Sequence, residues 1–306
     1  MTTSTESPTP DPVKDLYERW SEAFAADPEM PLDKWRAMVE EWPLVTAEPG
    51  AVDFVEIDAD GVPAMWITPK GAVQDRVILA LHGGGFVTGS IYTHRKLFAH
   101  IAKAAGVRAL AVGYRRVPEH VHPAPVQDVV AAYRWLLDQG IDAQHVAFTG
   151  DSAGGGLVVT AMLMARDQGL PLPAAGMPLS PWFDYEATGA SQDTNAKTDR
   201  LLNKEFGLVL AGMFLGESGD PHDPYVNPLR GDLAGLPPMF LQVSDAETLL
   251  DDSRSFAEQA RGAGVEVRLD VFPGQQHTFQ MAAGRSPIAD DAIGRLADWV
   301  RPRLGL

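Results

Sequence analysis

The sequence predicts an α/β fold in which one mixed, eight-stranded sheet carries helices on both faces. Strand-like and helix-like runs alternate from about residue 76 to the C-terminus, which is the pattern of such folds. The 306 residues, of which 45% are hydrophobic, suffice to bury one large core. We therefore expect a single domain over residues 13–306.

The elements are predicted in order along the chain. Residues 1–12 are polar and rich in proline, which is typical of a disordered lead-in. Apolar residues then recur at helical spacing and predict two amphipathic helices before residue 45. Asp60-Gly61 separates two strand-like runs and is typical of a hairpin turn. Short apolar runs predict the other strands, near 76–81, 107–114, 145–150, 174–180, 238–243 and 265–272. Longer periodic runs predict helices near 93–105, 124–138, 153–167, 248–262 and 287–302.

A serine between glycines is the most informative feature of the chain. Gly150-Asp151-Ser152-Ala153-Gly154 follows an apolar strand-like run and precedes a long helix-like one. At such a strand-to-helix turn, small neighbours let the backbone bend sharply and expose the serine hydroxyl. The helix N-terminus favours negative charge at the same place. Ser152 is therefore a candidate nucleophile.

A glycine run after an earlier strand supports this interpretation. His82-Gly83-Gly84-Gly85-Phe86 exposes backbone N–H groups with no side chain in the way. Acyl transfer requires such donors for the oxyanion of its tetrahedral intermediate. A phosphate-binding loop would continue with Lys-Ser/Thr, which is absent here.

A general base and an acid should follow the serine along the chain. His277 comes after a strand-like run and the turn residues Pro273-Gly274, whereas no strand leads into His222. His277 is therefore the candidate base. The acid should lie in the loop after the strand near 238–243, where four carboxylates are candidates: Asp245, Glu247, Asp251 and Asp252.

The chain resembles the hormone-sensitive-lipase family of esterases. The matching motifs are the glycine run from His82, the serine motif from Gly150, and Tyr114-Arg115-Arg116-Val117-Pro118-Glu119-His120. The resemblance covers residue 50 to the C-terminus and implies an α/β-hydrolase fold. It aligns Glu247 with the family's acid, with Asp245 as the runner-up. It implies that Ser152, Glu247 and His277 form the catalytic triad, and that the N–H groups of Gly84, Gly85 and Ala153 form the oxyanion hole. Asp151 is expected to brace the glycine loop.

The resemblance also implies a helical cap. The stretch between Pro181 and Pro237 interrupts the alternation of strands and helices and contains one helix-like run, over residues 203–215. Long insertions of this kind are often lids. The family builds its cap from this region and the N-terminal helices, here about 13–45 and 183–228. We expect substrate contact by five apolar residues: Phe86, Trp182, Phe183, Met213 and Phe214. The alternative is that these side chains belong to the core.

The resemblance leaves the substrate open. Residues 82–95, 150–156 and 276–279 are similar to those of actinobacterial monoterpene ε-lactone hydrolases, which implies a cyclic ester as an alternative to short acyl esters. The same triad could cleave amides. Family relatives that act as hormone receptors lack the histidine, so the presence of His277 favours an enzyme.

Composition and charge limit the possible partners and the expected location of the protein. The net charge of −16 argues against nucleic acid and anionic membranes as partners. The chain has no cysteine, and neither a signal peptide nor an apolar run of membrane-spanning length is recognisable. We therefore expect a cytoplasmic enzyme for a small apolar ester or lactone that needs no metal or organic cofactor. A homodimer remains open.

Overall fold

The N-terminal helix begins earlier than expected. The computed structural model describes residues 11–306, and the first ten residues of the expected lead-in lie outside that range. Asp11 and Pro12 do not belong to a lead-in. The Asp11 carboxylate accepts the N–H groups of Val13 and Lys14, and Pro12 is the first helical residue. An aspartate at the N-cap and a proline at N1 both favour a helix start.

One eight-stranded sheet forms the centre of the molecule. Its strands are β1 (Val52–Asp58), β2 (Pro63–Pro69), β3 (Val73–Leu81), β4 (Val107–Val112), β5 (Val146–Asp151), β6 (Ala175–Leu179), β7 (Met239–Ser244) and β8 (Val267–Phe272). The spatial order is β1-β2-β4-β3-β5-β6-β7-β8. Strand β2 runs antiparallel to β1 and β4, and the other neighbours are parallel. The predicted mixed sheet is confirmed.

The predicted hairpin joins β1 and β2. Asp60 and Gly61 both have positive φ angles, of 59° and 86°, as the tightest hairpin turns require. The carboxylate of Asp58 accepts the N–H group of Gly61 at 2.6 Å, which holds the turn.

Helices cover both faces of the sheet, as predicted. They are α1 (Pro12–Ala26), α2 (Leu32–Val39), α3 (Ile91–Ala105), α4 (Ala124–Asp138), α5 (Ala153–Asp167), α6 (Ser191–Thr194), α7 (Lys204–Leu215), α8 (Leu250–Gly262) and α9 (Pro287–Val300). Helices α4, α5 and α8 pack on one face, and α1, α3 and α9 on the other. No helix within residues 11–306 is long and apolar enough to cross a membrane.

Side chains of the central strands divide the core into two halves. In β3, Leu79 and Leu81 face the first half, whereas Ile78 and Ala80 face the second. Successive side chains of a strand point to opposite faces, and a sheet covered on both sides therefore needs apolar residues at every position. The sheet places the C-terminal ends of β3, β5, β6, β7 and β8 beside one another, and the loops that follow these strands carry the site.

Candidate active site

Ser152 lies at a strained turn between β5 and α5. Its φ angle is +55°, which is rare for a residue with a side chain and is typical of functional turns. A Cβ atom at Gly150 would collide with the carbonyl of Gly154, and one at Gly154 with the carbonyl of Leu81. The two glycines are therefore required for the close approach of β5, α5 and β3 at this point.

The glycine loop after β3 offers unpaired donors beside the serine. Gly84 and Gly85 have φ angles of 107° and 61°, so both use conformations that glycine readily adopts. Within residues 11–306, neither N–H group donates a hydrogen bond. The N–H of Ala153, the first residue of α5, has no intrahelical acceptor. Gly84, Gly85 and Ser152 line the same cavity.

Buried polar residues brace this loop. Asp151 is fully buried, and its carboxylate accepts the N–H of Gly83 at 3.1 Å and contacts Nε2 of His94 at 3.2 Å. The Tyr114 hydroxyl donates to the carbonyl of His82 at 2.6 Å, and the two rings stack. Burial, with the neighbouring His94, lowers the pKa of His82 well below its usual value. Asp151 and His82 are therefore bracing residues, as expected.

His277 and Glu247 form a buried pair at the ends of neighbouring strands. His277 Nδ1 lies 2.5 Å from Glu247 Oε2, and both side chains are at most 1% exposed. Burial opposes protonation of the imidazole, but the hydrogen bond and negative charge of Glu247, helped by the more distant Asp199 and Asp151, outweigh it. The pKa of His277 is therefore raised above its usual value. His277 lines the same cavity as Ser152.

The other three candidate acids have different partners. Asp245 is exposed, and its carboxylate accepts the N–H of Gly274 at 2.7 Å. Asp251 accepts the N–H of Ser191 at 2.9 Å and thus braces α6. Asp252 has no histidine among its hydrogen-bond partners within residues 11–306.

Asp252 instead holds the loop that follows β6. Its carboxylate accepts the N–H groups of Phe183 and Asp184, at 2.8 and 2.9 Å. Burial raises the pKa of Asp252 to about 8, with the charges of Asp184 and Glu247 acting in the same direction and the two backbone donors opposing them. This carboxylate therefore fixes one wall of the cavity.

Two residues with unusual backbone conformations hold the His277–Glu247 pair. Ser180, with φ of +43°, donates its hydroxyl to Glu247 Oε1 at 2.8 Å and accepts the N–H of Thr278. Thr278 has φ of +50°, and its hydroxyl lies 2.7 Å from that of Tyr17 in α1. Sequence reasoning did not find this contact, since 261 residues separate its partners.

The N-terminal helices and the 183–228 insertion meet over the reacting groups. The rings of Phe24, Trp35 and Phe206 lie 5.5–5.6 Å apart and join α1, α2 and α7. Beneath them is a cavity of about 770 Å³, counted with space that is open to solvent. It is lined by Trp20, Phe24, Trp35, Val39, Trp42, Gly84, Gly85, Thr88, Ser152, Trp182, Asp184, Tyr185, Ala187, Gln192, Leu201, Leu202, Asn203, Phe206, Gly207, Leu210, Thr248, Leu249 and His277.

Only one of the five predicted substrate-contacting residues, Trp182, lines this cavity. Phe86 and Phe214 stack on each other with ring centroids 3.9 Å apart, and both are buried. Phe183 is buried against Phe256 of α8, and Met213 is not part of the lining. These four side chains belong to the core cluster or pack against it, as the alternative interpretation expected, and their contact with a substrate stays a prediction.

Most of the lining was not predicted as substrate-contacting. Trp20, Trp35 and Trp42 belong to the apolar stripes that predicted the N-terminal helices, and such stripes do not distinguish core packing from a cavity wall. Tyr185 and Gln192 had no signal in the sequence at all. Within residues 11–306, no cluster of three or more His, Asp or Glu side chains is arranged to hold a metal ion.

Comparisons with known proteins agree with this fold. A family profile described as the α/β-hydrolase fold matches residues 78–281. An acetyl-hydrolase of Streptomyces hygroscopicus is 43% identical over 217 residues, which cover 71% of this chain and 72% of the relative. An esterase of Acinetobacter venetianus is 35% identical over 230 residues, or 74% of this chain and 75% of its own.

Solved structures are similar over nearly the whole chain. A crystal structure of an esterase from the bacterial hormone-sensitive lipase family has a TM-score of 0.91 and 44% identity, covering 98% of this chain and all of its own. An esterase/lipase from an uncultured bacterium has a TM-score of 0.91 and 36% identity, with the same coverage.

Proposed function

Since the chain belongs to the α/β-hydrolase family, among the carboxylic ester hydrolases of the hormone-sensitive-lipase type, we propose that Ser152, His277 and Glu247 are its catalytic triad. The observation that carries this proposal is the buried contact of 2.5 Å between His277 and Glu247 beside a cavity that Ser152 also lines. In this triad Glu247 orients and stabilises His277, and His277 takes the proton of Ser152, as in other serine hydrolases.

Acylation begins with attack by the Ser152 hydroxyl oxygen on the ester carbonyl carbon. His277 accepts the hydroxyl proton, and the Glu247 carboxylate stabilises the imidazolium that forms. The carbonyl oxygen becomes an oxyanion, which the unpaired N–H groups of Gly84, Gly85 and Ala153 would bind. These donors are already in place, so little reorganisation accompanies the charge that develops.

Collapse of the intermediate releases the alcohol. The carbon–oxygen bond of the leaving group breaks, and His277 gives its proton to the departing alkoxide. A water molecule then attacks the acyl-enzyme while His277 takes one of the water's protons. The second collapse returns that proton to Ser152 and releases the carboxylic acid.

Open-chain esters with a short acyl group are the substrates we favour. One relative is named an acetyl-hydrolase, and another, from Pseudomonas putida, an ethyl acetate hydrolase. Lactones such as monoterpene ε-lactones are the alternative, since the cavity volume lies in the range of small-molecule sites and does not separate the two. Comparing kcat/KM for a terpene lactone with that for p-nitrophenyl butyrate decides between them.

Residues 13–45 and 183–228 act as the cap in this proposal. The contacts of Phe24 and Trp35 with Phe206 support it, because they join the two regions above the cavity. A predominantly apolar roof would exclude water from the reacting groups and strengthen the electrostatic interactions among them.

The nucleophile is tested with Ser152→Ala, which removes only the hydroxyl. We expect the variant to keep the thermal unfolding midpoint within a few degrees and to lose hydrolysis of p-nitrophenyl acetate, together with any burst of p-nitrophenol. Ser253→Ala is a matched control, since Ser253 is a buried serine of α8 that does not line the cavity. Turnover by Ser152→Ala close to that of the control would refute the assignment.

A further inference from the structure

Most polar side chains that line the cavity are already hydrogen-bonded within the protein. The Thr88 hydroxyl donates to a carbonyl of the glycine loop, and that of Thr248 donates to a buried carboxylate. The Asp184 carboxylate accepts N–H groups of its own turn, and the Asn203 side-chain oxygen caps α7. These four groups hold the walls in place. Because each already has a hydrogen-bond partner in the protein, each is less available to a substrate than an unpaired group.

Two buried side chains of the wall differ from these. Gln192 is 5% exposed and Tyr185 is 4% exposed, and both line the cavity. Within residues 11–306, neither the carboxamide of Gln192 nor the hydroxyl of Tyr185 has a hydrogen-bond partner, yet neither is sealed inside the core away from the cavity. They add two uncommitted polar groups to the reactive Ser152 and His277.

The ring of Tyr185 and the helix that carries Gln192 are both held in position. The Tyr185 ring stacks on that of Trp182 with centroids 4.3 Å apart, and on Phe214 at 5.4 Å. Gln192 belongs to α6, whose first residue, Ser191, donates its hydroxyl to the carbonyl of Thr248 at 2.6 Å. The two groups therefore belong to a preorganised wall rather than to a mobile surface.

The amide and the phenol face a cavity lined mostly by apolar side chains, where fewer water partners are available than at the surface, and a polar group without a partner is costly there. Buried polar groups of this kind are almost always satisfied by protein, by an ordered water molecule or by a ligand. A substrate oxygen that reaches this wall can accept a hydrogen bond from either group, since both the carboxamide and the phenol are donors. An ester whose acyl and alcohol groups are both plain hydrocarbons has no second polar group to offer.

We propose that Gln192 and Tyr185 are specificity-determining residues that bind a second oxygen of the substrate, and that the preferred substrates are hydroxy- or keto-substituted esters. This inference rests on the proposed function and adds the chemical class of its substrate. A site built to hydrogen-bond a substrate hydroxyl discriminates strongly against the analogue that lacks it.

The test compares esters that differ only in one hydroxyl group. In the first pair, ethyl 3-hydroxybutyrate and ethyl butyrate, the hydroxyl group is in the acyl part. In the second pair, 2-hydroxyethyl butyrate and propyl butyrate, the hydroxyl group is in the alcohol part. For the wild type, we expect kcat/KM of the hydroxy ester to exceed that of its partner about tenfold or more in one pair. Gln192→Leu and Tyr185→Phe should each lower that ratio several-fold.

Two exposed residues supply matched controls. Gln259→Leu on α8 and Tyr92→Phe on α3 make the same chemical changes away from the cavity, and they should leave the ratio unchanged. Thermal unfolding checks each variant. Gln192→Met replaces Gln192→Leu if the latter does not fold, and Tyr185→Phe keeps the ring and its stacking.

The outcomes separate this inference from the proposed function. A wild-type ratio near one in both pairs, or a ratio that neither variant lowers, overturns the role of Gln192 and Tyr185 while leaving the triad intact. Such a result means that ordered water satisfies both groups. Absence of hydrolysis of all four esters by the wild type overturns the proposed function as well.

Discussion

The Glu247→Ala substitution tests the part of the site on which sequence reasoning was divided. The Glu247 carboxylate is fully buried and accepts three hydrogen bonds: from His277 at 2.5 Å, from the Ser180 hydroxyl at 2.8 Å and from the Ser244 N–H at 2.6 Å. Losing the acid of a triad lowers kcat by about 10⁴, which corresponds to about 5.4 kcal/mol at about 1.36 kcal/mol per tenfold change.

The same substitution should also destabilise the fold. Three donors lose a buried, charged acceptor, and we expect the free energy of unfolding to fall by about 3–5 kcal/mol. Glu247→Gln separates the two effects, because it keeps the shape of the side chain and most of its packing. We expect it to recover part of the stability but little of kcat, since a neutral amide does not stabilise the imidazolium.

The assay is kcat for p-nitrophenyl butyrate at saturating substrate, with urea unfolding measured in parallel. Asp245→Ala is the matched control: Asp245 is exposed, lies two residues before Glu247, and accepts the N–H of Gly274. It should reduce kcat less than tenfold. A larger loss in Asp245→Ala than in Glu247→Ala would show that the acid has been placed two residues too late.

Three further predictions concern the base and the N-terminal helices. Because the pKa of His277 is raised above the usual value of 6.5, the imidazole stays protonated to a higher pH and cannot accept the serine proton there. We therefore expect kcat/KM to rise with pH through a midpoint above 6.5. A midpoint below about 6 would contradict this. Tyr17→Phe should leave the buried hydroxyl of Thr278 without its partner and reduce the free energy of unfolding by about 1–3 kcal/mol. We expect kcat to fall by a larger factor than KM rises. An unchanged kcat in a variant that stays folded would show that Tyr17 does not position the neighbouring His277 through Thr278. Deleting residues 1–42 should raise KM for p-nitrophenyl decanoate more than for p-nitrophenyl acetate if the protein stays folded, and an equal loss on both esters would rule out a roof.

Local sequence motifs sufficed where short-range sterics dictate the backbone. Gly150 and Gly154 are required because β5, α5 and β3 approach too closely for a Cβ atom, and this need is visible in five consecutive residues. The hairpin at Asp60-Gly61 is also a local feature, and it was predicted. The order of strands and helices followed from hydrophobic periodicity, which reports burial directly.

The choice of the acid depended on tertiary contacts. Asp245, Glu247, Asp251 and Asp252 lie within eight residues of one another and look alike in sequence, and resemblance alone favoured Glu247. Of these four, the structure brings only Glu247 against His277, because β7 and β8 are adjacent and the carboxylate of Asp245 accepts the N–H of Gly274 instead.

Which side chains line the cavity depends on tertiary contacts and could not be predicted from the sequence. Phe86 and Phe214 read as substrate contacts, but they stack on each other in the core, while Trp20, Trp35 and Trp42 reach the cavity from the N-terminal helices. An apolar stripe records that a face is buried and not what it is buried against. The apolar runs and the serine motif therefore sufficed to predict the fold class and a candidate nucleophile, whereas the packing of distant helices over the sheet selects the side chains that line the cavity.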